Sequence, residues 1–273
     1  MLVYPLGMNV SSRSLRFVTD ALRTHRQATR TRWRVLSSGR QALMVLAHLR
    51  KGETYRDLAT GFGVGTTTAY RYLREALNVL AALAPSLEQA MRVAAVKAFV
   101  ILDGTLLRID RVAMASGRDR PYYSGKHKSH GVNVQVIADP AGRLIWASPA
   151  LPGARHDAGA AREHAIPEAL ADAGVTAFAD TAYCGLSPLG GPGVRAPHRR
   201  SRYDRGTGKF ARRELSAGQK TVNRAHSALR APGERANAEL KNWRILRKIR
   251  SSPAHATLLV DAVQTVIINT EAM

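Results

Sequence analysis

Three carboxylates stand where acids from separate elements can converge. Asp103 follows directly on the apolar run Phe99-Val100-Ile101-Leu102, and Asp180 follows directly on Val175-Thr176-Ala177-Phe178-Ala179. Glu234 lies near the start of an expected helix, in Arg230-Ala231-Pro232-Gly233-Glu234. Two or three carboxylates that converge in a low-dielectric site repel one another and need a cation. Oxygen-only ligands suit Mg²⁺ or Mn²⁺. Two such ions about 3.5–4 Å apart can activate a water or a 3′-hydroxyl and stabilise the leaving oxygen of a phosphodiester. Singly, each acid has an ordinary account: Asp103 and Asp180 as turn or segment caps, Glu234 as a charge favoured by a helix dipole. Their order and setting make the combination more telling than its parts.

The elements that must position these acids are legible in outline. Continuous apolar runs at 98–102 and 175–179 mark buried strands. Between them Val132-Asn133-Val134-Gln135-Val136 alternates with period two, Asp139-Pro140-Ala141-Gly142 supplies a turn, and Leu144-Ile145-Trp146-Ala147 returns. A helix is expected across 157–173 with Asp157 as its cap, and the Gly-, Pro- and Arg-rich stretch 185–208 reads as loop. Helices resume at about 216–229 and 233–250, and again after Pro253. The first ninety residues read as all-helical, with a short helix from Leu87 to Val93 as a linker. This gives a helical domain over 1–93 and an α/β domain over 94–273.

Within the helical part, the segment from Thr54 to Leu73 fits a helix-turn-helix. Ala59 is small where two helices would cross, Gly63 makes the turn, and Leu58, Val64, Ala69 and Leu73 fill the interface. The second helix opens with Thr66, Thr67 and Thr68 and carries Arg71 and Arg74, groups suited to phosphates and base edges. An ordinary helical hairpin is the plainer alternative. Forty-one Lys and Arg against 20 Asp and Glu leave a formal charge of +21, which favours a polyanion, nucleic acid before membrane. The charge is spread over the candidate site as well. Arg230 and Lys241 flank Glu234 at helical offsets, Lys126 and Lys128 precede the second strand, and His198 to Arg213 form a basic run between the second and third acids.

Other classes fare poorly. A single cysteine, Cys184, excludes an intrachain disulfide framework and a cysteine-rich zinc fold. The apolar start, Met1 to Met8, is short for a signal segment, and Leu258 to Ile268 falls short of the roughly 20 residues that span a bilayer. The expectation is a cytoplasmic, nucleoid-associated protein without a membrane partner. No Gly-rich phosphate loop is present for an ATP-driven recombinase.

Asp103-Gly104-Thr105, Asp180-Thr181-Ala182-Tyr183 and Arg230 to Leu246 resemble the three motif regions of DDE transposases, especially the bacterial insertion-sequence group numbered five. In that group a Tyr, two residues, an Arg, three residues, the catalytic Glu, six residues and a Lys recur. This chain has Arg230, Glu234 and Lys241 in that register, with Ser227 in place of the Tyr. The resemblance implies an α/β ribonuclease H-like mixed sheet flanked by helices, preceded by the helix-turn-helix unit. It implies that Asp103, Asp180 and Glu234 hold two Mg²⁺ or Mn²⁺ ions, with Glu239 as the rival third acid. Arg230, Lys241, Lys126, Lys128, Thr66, Thr67, Arg71 and Arg74 would meet DNA. The partners implied are terminal inverted repeats, target DNA and a second copy of the chain in a dimer or larger synaptic assembly. The alternatives are a catalytically inactive DNA-binding regulator and a ribonuclease H-like nuclease acting on RNA–DNA hybrid.

Overall fold

The computed structural model describes residues 10–31, 34–110, 119–186, 191–204, 208–212, 214–250 and 252–271. The apolar start 1–8 and Arg213 therefore lie outside the described residues, as do parts of the expected loop 185–208.

Five helices come first: α1 (Ser12–Ala28), α2 (Ser38–Lys51), α3 (Tyr55–Phe62), α4 (Thr66–Ala81) and α5 (Leu87–Ala95). Their ends follow from local chemistry. Ser11, Ser37, Thr54 and Ser86 each accept a backbone N–H as N-caps, and Gly52 and Gly63 close α2 and α3 in the left-handed region. α3, Gly63 and α4 form the expected helix-turn-helix, with Leu58, Ala59, Ala69 and Leu73 buried at its centre.

The sheet follows, with β1 (Val100–Ile109) at its centre. β1 runs antiparallel to β3 (Ser129–Ala138) and parallel to β6 (Thr176–Phe178), and β7 (Gly193–Arg195) lies parallel beyond β6. The outer edge of β3 takes three short strands in turn: β2 (Tyr123–Ser124), β4 (Leu144–Ala147) and β5 (Leu151–Pro152). β8 (Ser201–Asp204) and β9 (Lys209–Arg212) pair separately, and β10 (Lys248–Ile249) continues the parallel edge of β1. The helices here are α6 (Asp157–Glu163), α7 (Ile166–Asp172), α8 (Ala217–Arg230), α9 (Gly233–Asn242), α10 (Arg244–Arg247) and α11 (Ala256–Glu271). This is the α/β, ribonuclease H-like class expected, a mixed sheet flanked by helices behind an all-helical unit.

Side chains of a strand alternate between faces, and β1 divides its own between two cores. Ile101, Leu107 and Ile109 face α9–α11 and the N-terminal helices, whereas Val100 and Leu102 face α5 and α7. α11 packs across α4 and α1, and Thr265 Oγ1 donates to the Leu80 carbonyl at 3.0 Å. The helix-turn-helix thus shares one continuous apolar core with the sheet. The helix expected as a linker, α5, is instead packed on α7 and β4, with Ala90, Met91 and Ala94 buried.

Four further elements differ from those expected. The strand expected to end before Asp103 continues to Ile109, because Gly104 to Arg108 keep pairing with β3. The helix expected over 157–173 breaks at Ala165, which takes a φ of 53°. The stretch 185–208 holds β7 and β8. The helix expected over 233–250 stops at Trp243, where the backbone turns extended.

The β3–β4 turn depends on one carboxylate. Asp139, 3% exposed, accepts the backbone N–H groups of Ala141 and Arg143 at 2.9 Å and the Arg143 Nε at 2.7 Å. Burial alone would raise its carboxyl, but these hydrogen bonds and the Arg143 charge outweigh burial and hold it below the ordinary aspartate value. A depressed folded value means the stabilisation is present above the unfolded value and is lost as pH falls through the folded one. Asp139→Asn should therefore cost about 1–3 kcal/mol at pH 7. In urea titrations the difference from the native protein should shrink below roughly pH 4.

Candidate active site

Asp103 sits in the middle of β1 on the face that α9 covers. Its Oδ1 accepts the Gly104 N–H at 3.1 Å, and its Oδ2 accepts from Asn237 Nδ2 at 2.8 Å. Arg230 Nη2 stands 3.9 Å from Oδ1. Burial pushes the Asp103 carboxyl above the ordinary value; Arg230 opposes this, and the carboxylates of Asp180 and Asp157 add to it. The parallel register of β1 and β6 pairs Val100 with Ala177 and Ile101 with Phe178; Asp180 begins the turn just beyond β6, near enough to Asp103 to act on its carboxyl. Asp180 Oδ1 accepts the Ala182 N–H at 2.8 Å and so fixes the turn that follows.

Glu234 is exposed in the first turn of α9. Offsets of three and seven residues place it on the same helix face as Asn237, which touches Asp103, and as Lys241. Burial lowers the Lys241 ammonium from its ordinary value, while Asp103 and Glu234 both pull it back up. Lys241 therefore senses both acids. Glu239 turns elsewhere, to Arg50 at 3.7 Å and Asn242 at 3.2 Å.

The structure thus brings Asp103 and Asp180 together and leaves Glu234 at the rim. Among the described residues no three His, Cys, Asp or Glu side chains lie close enough to hold an ion between them. The donors present still fit a hard divalent cation. Asp103 and Asp180 are oxygen donors that crowd each other electrostatically. Asn237 Oδ1, beside Asp103, is buried with no hydrogen-bond partner, as is Arg230 Nε. An orphaned acceptor next to crowded carboxylates is the kind of group that a cation or its water satisfies.

The expected break between the helices at 229 and 233 is present: α8 ends at Arg230 and α9 starts at Gly233, because Pro232 has no N–H to continue the ladder. The helical offset of Arg230 from Glu234 therefore does not put the two on one continuous helix face. Arg230 nonetheless reaches Asp103. Asp157 is not a cap: His156 occupies that position without a side-chain bond. Asp157 instead accepts from Asn133 Nδ2 at 2.8 Å and Lys126 Nζ at 3.2 Å. Lys128 is exposed, with a φ of 48°.

Sequence reasoning missed Asn237 and the polar pair Asn133 and Gln135. The pair looks like the wet face of an alternating strand, but the strand is buried on both faces, leaving Asn133 6% and Gln135 0% exposed. The basic run begins at His198, whose N–H and carbonyl are both tied to the Asn223 amide (2.8 and 3.0 Å). Arg199 and Arg200 line a groove there with Lys220, Arg224 and Thr181.

On the helix-turn-helix, Thr66, Thr67, Arg71 and Arg74 are all exposed, and Arg74 Nη1 donates to the Tyr70 hydroxyl at 3.2 Å. Arg71→Ala with Arg74→Ala should lower DNA affinity about 10- to 100-fold at moderate salt and flatten the log–log salt dependence by about two. Fluorescence anisotropy over a salt series reads both; an unchanged slope would remove this helix from the interface.

Residues 102–268 match the family described as DDE superfamily endonuclease, and residues 34–86 match the helix-turn-helix of DDE superfamily endonuclease. A protein of Streptomyces albus G named "Putative transposase for insertion sequence element IS112" is 32% identical over 211 residues, covering 77% of this chain and 71% of its own length. No solved structure matches the chain. No helix among the described residues is long and apolar enough to cross a membrane. The chain belongs to the DDE superfamily endonucleases, a transposase-like, divalent-metal-dependent class, and carries that family's DNA-binding helix-turn-helix ahead of its catalytic fold.

Proposed function

We propose that the protein is the transposase of a mobile element, of the insertion-sequence group numbered five, and that Asp103, Asp180 and Glu234 are its catalytic acids. They would hold two Mg²⁺ ions, or Mn²⁺. The observation that carries this is that Asp103 has the Asp180 carboxylate acting on it and the unpartnered Asn237 Oδ1 beside it, on the face covered by the Glu234 helix. Ions bound there would activate a water or hydroxyl and stabilise the leaving oxygen.

The chain's own residues supply the rest. Asn237 holds Asp103 in one orientation, and the Ala182 N–H does the same for Asp180. Arg230 and Lys241, on either side of Glu234, meet the phosphodiester backbone, along with Lys126 and Lys128. Water attacks phosphorus at an element end, the P–O3′ bond breaks, and a free 3′-hydroxyl leaves. That hydroxyl then attacks the phosphorus of a target phosphodiester at the same site, and the target's own P–O3′ bond breaks to release a target 3′-hydroxyl, so no bond to the protein forms. Thr66, Thr67, Arg71 and Arg74 would read the terminal inverted repeats, and two protomers or more would pair two ends.

The exposed position of Glu234 gives the rival reading its one support: a DNA-binding regulator without catalysis. Plasmid carrying the gene with its native flanks, incubated with Mg²⁺, Mn²⁺ or EDTA, separates the two. Metal-dependent nicks that map to flanking repeats and end in 3′-hydroxyls are expected. Tight binding to the flanks without a nick in either metal would establish the regulator.

A further inference from the structure

On the face of β1 opposite Asp103 runs a directed chain of hydrogen bonds. Tyr183 Oη, fully buried, donates to Gln135 Oε1 at 2.6 Å, and Gln135 Nε2 donates to Asn133 Oδ1 at 2.7 Å. Asn133 Nδ2 donates to Asp157 Oδ1 at 2.8 Å, and Lys126 Nζ donates to Asp157 Oδ2 at 3.2 Å. Each amide accepts with its oxygen and passes the chain on with its nitrogen, so the terminus must be an acceptor. Gly104 makes room for it: a Cβ there would lie 2.3 Å from Asp157 Oδ1.

The two ends of this chain serve one place. Tyr183 closes the turn that Asp180 begins. Lys126 and Asp157 line a cavity of about 540 Å³ whose wall includes Asp180, Thr181 and Arg199. A purely structural terminus would not need a charge. An asparagine at 157 could accept from Asn133 equally well, but its amide nitrogen would face the Lys126 ammonium. Burial of Lys126 is outweighed by Asp157 and then by Asp180 and Asp103, so its ammonium is held firmly charged.

The geometry points to Asp157 as a positioning residue for DNA cleavage: it holds the Lys126 ammonium beside Asp180, where the ammonium binds a phosphate of the entering strand. The inference rests on the proposed function and is tested apart from it by a double-mutant cycle. Asp157→Asn and Lys126→Met should each slow single-turnover cleavage about 10- to 100-fold with DNA saturating. The double variant should be no slower than the slower single variant. Mn²⁺ binding without DNA, measured by calorimetry, should be the same in all four proteins. Without metal, Lys126→Met should flatten the salt dependence of DNA binding by about one in the native background and not at all beside Asp157→Asn. Lys126 is exposed, so its loss does not threaten the fold.

Effects that multiply in the double variant, or no slowing in either single variant, would overturn the inference. Loss of Mn²⁺ binding in Asp157→Asn would also overturn it, because the acid would then be a ligand. A native protein that cuts no DNA would count against the proposed function, and the salt slopes would still decide whether Asp157 acts through Lys126.

Discussion

Asp103→Asn and Asp180→Asn should each reduce DNA cleavage by about three orders of magnitude or more, with DNA still bound through the helix-turn-helix. Both changes keep side-chain size and remove the negative charge that a divalent ion requires. At position 103 the fold has no need of that charge. Burial and the neighbouring Asp180 and Asp157 raise the Asp103 carboxyl, and this outweighs Arg230, the Gly104 N–H and the Asn237 amide that oppose it. A raised folded value means that stability falls as pH rises through the unfolded and then the folded value. At pH 7 the native carboxylate therefore costs stability, and the neutral amide should melt at the same temperature or higher. Loss of cleavage with an undiminished melting temperature is the signature expected. Cleavage within tenfold of native in either variant would place the chemistry elsewhere.

Leu80→Ala should destabilise the protein by about 2–5 kcal/mol, and it should do so for both halves at once. Leu80 is fully buried near the end of α4, and its own carbonyl accepts from Thr265 on α11. α11 in turn packs on β4 of the sheet, where Gln264 pairs with both the N–H and the carbonyl of Ala147 (2.9 and 3.1 Å). A cavity at Leu80 therefore opens in a core that the helix-turn-helix and the sheet hold in common. Urea unfolding followed by far-ultraviolet dichroism and by tryptophan fluorescence should show a single coincident transition at a lower midpoint. Trp243 reports on that core, and Trp146 reports on the second core of the sheet. Two separated transitions would mean that the helical unit folds by itself.

How far the sequence carries depends on whether a signal is local. The helix-turn-helix was legible because its determinants lie within a few residues: the Thr54 cap with Asp57, the Gly63 turn, and small Ala59 at the crossing. The positions of Asp103 and Asp180 followed from apolar runs that had to be buried strands. What could not be read depends on partners distant in the chain. Gly104 looks like the end of a strand until β3 pairs along it. Asn133 and Gln135 look like the wet face of an alternating strand, because nothing nearby announces that Tyr183 and Asp157 will satisfy them. Asp157 at the start of a helix has every local mark of a cap, and only Asn133 and Lys126 draw it away. The break at Pro232 was visible in the sequence. The offsets of Arg230 and Lys241 from Glu234 match a helical period, but the missing N–H at Pro232 leaves Arg230 at the end of the preceding helix.

The most direct test of the central claim, that Asp103 and Asp180 hold a divalent metal beside the Glu234 helix, is to load the protein with Fe²⁺ and generate hydroxyl radicals at the bound ion with ascorbate and peroxide. Radicals made there cut the nearest backbone, and the fragments can be mapped by mass spectrometry. Cuts are expected around residues 103, 180 and 234, suppressed by excess Mg²⁺ and absent in Asp103→Asn. Cuts confined to other parts of the chain, or an unchanged pattern in Asp103→Asn, would contradict the claim.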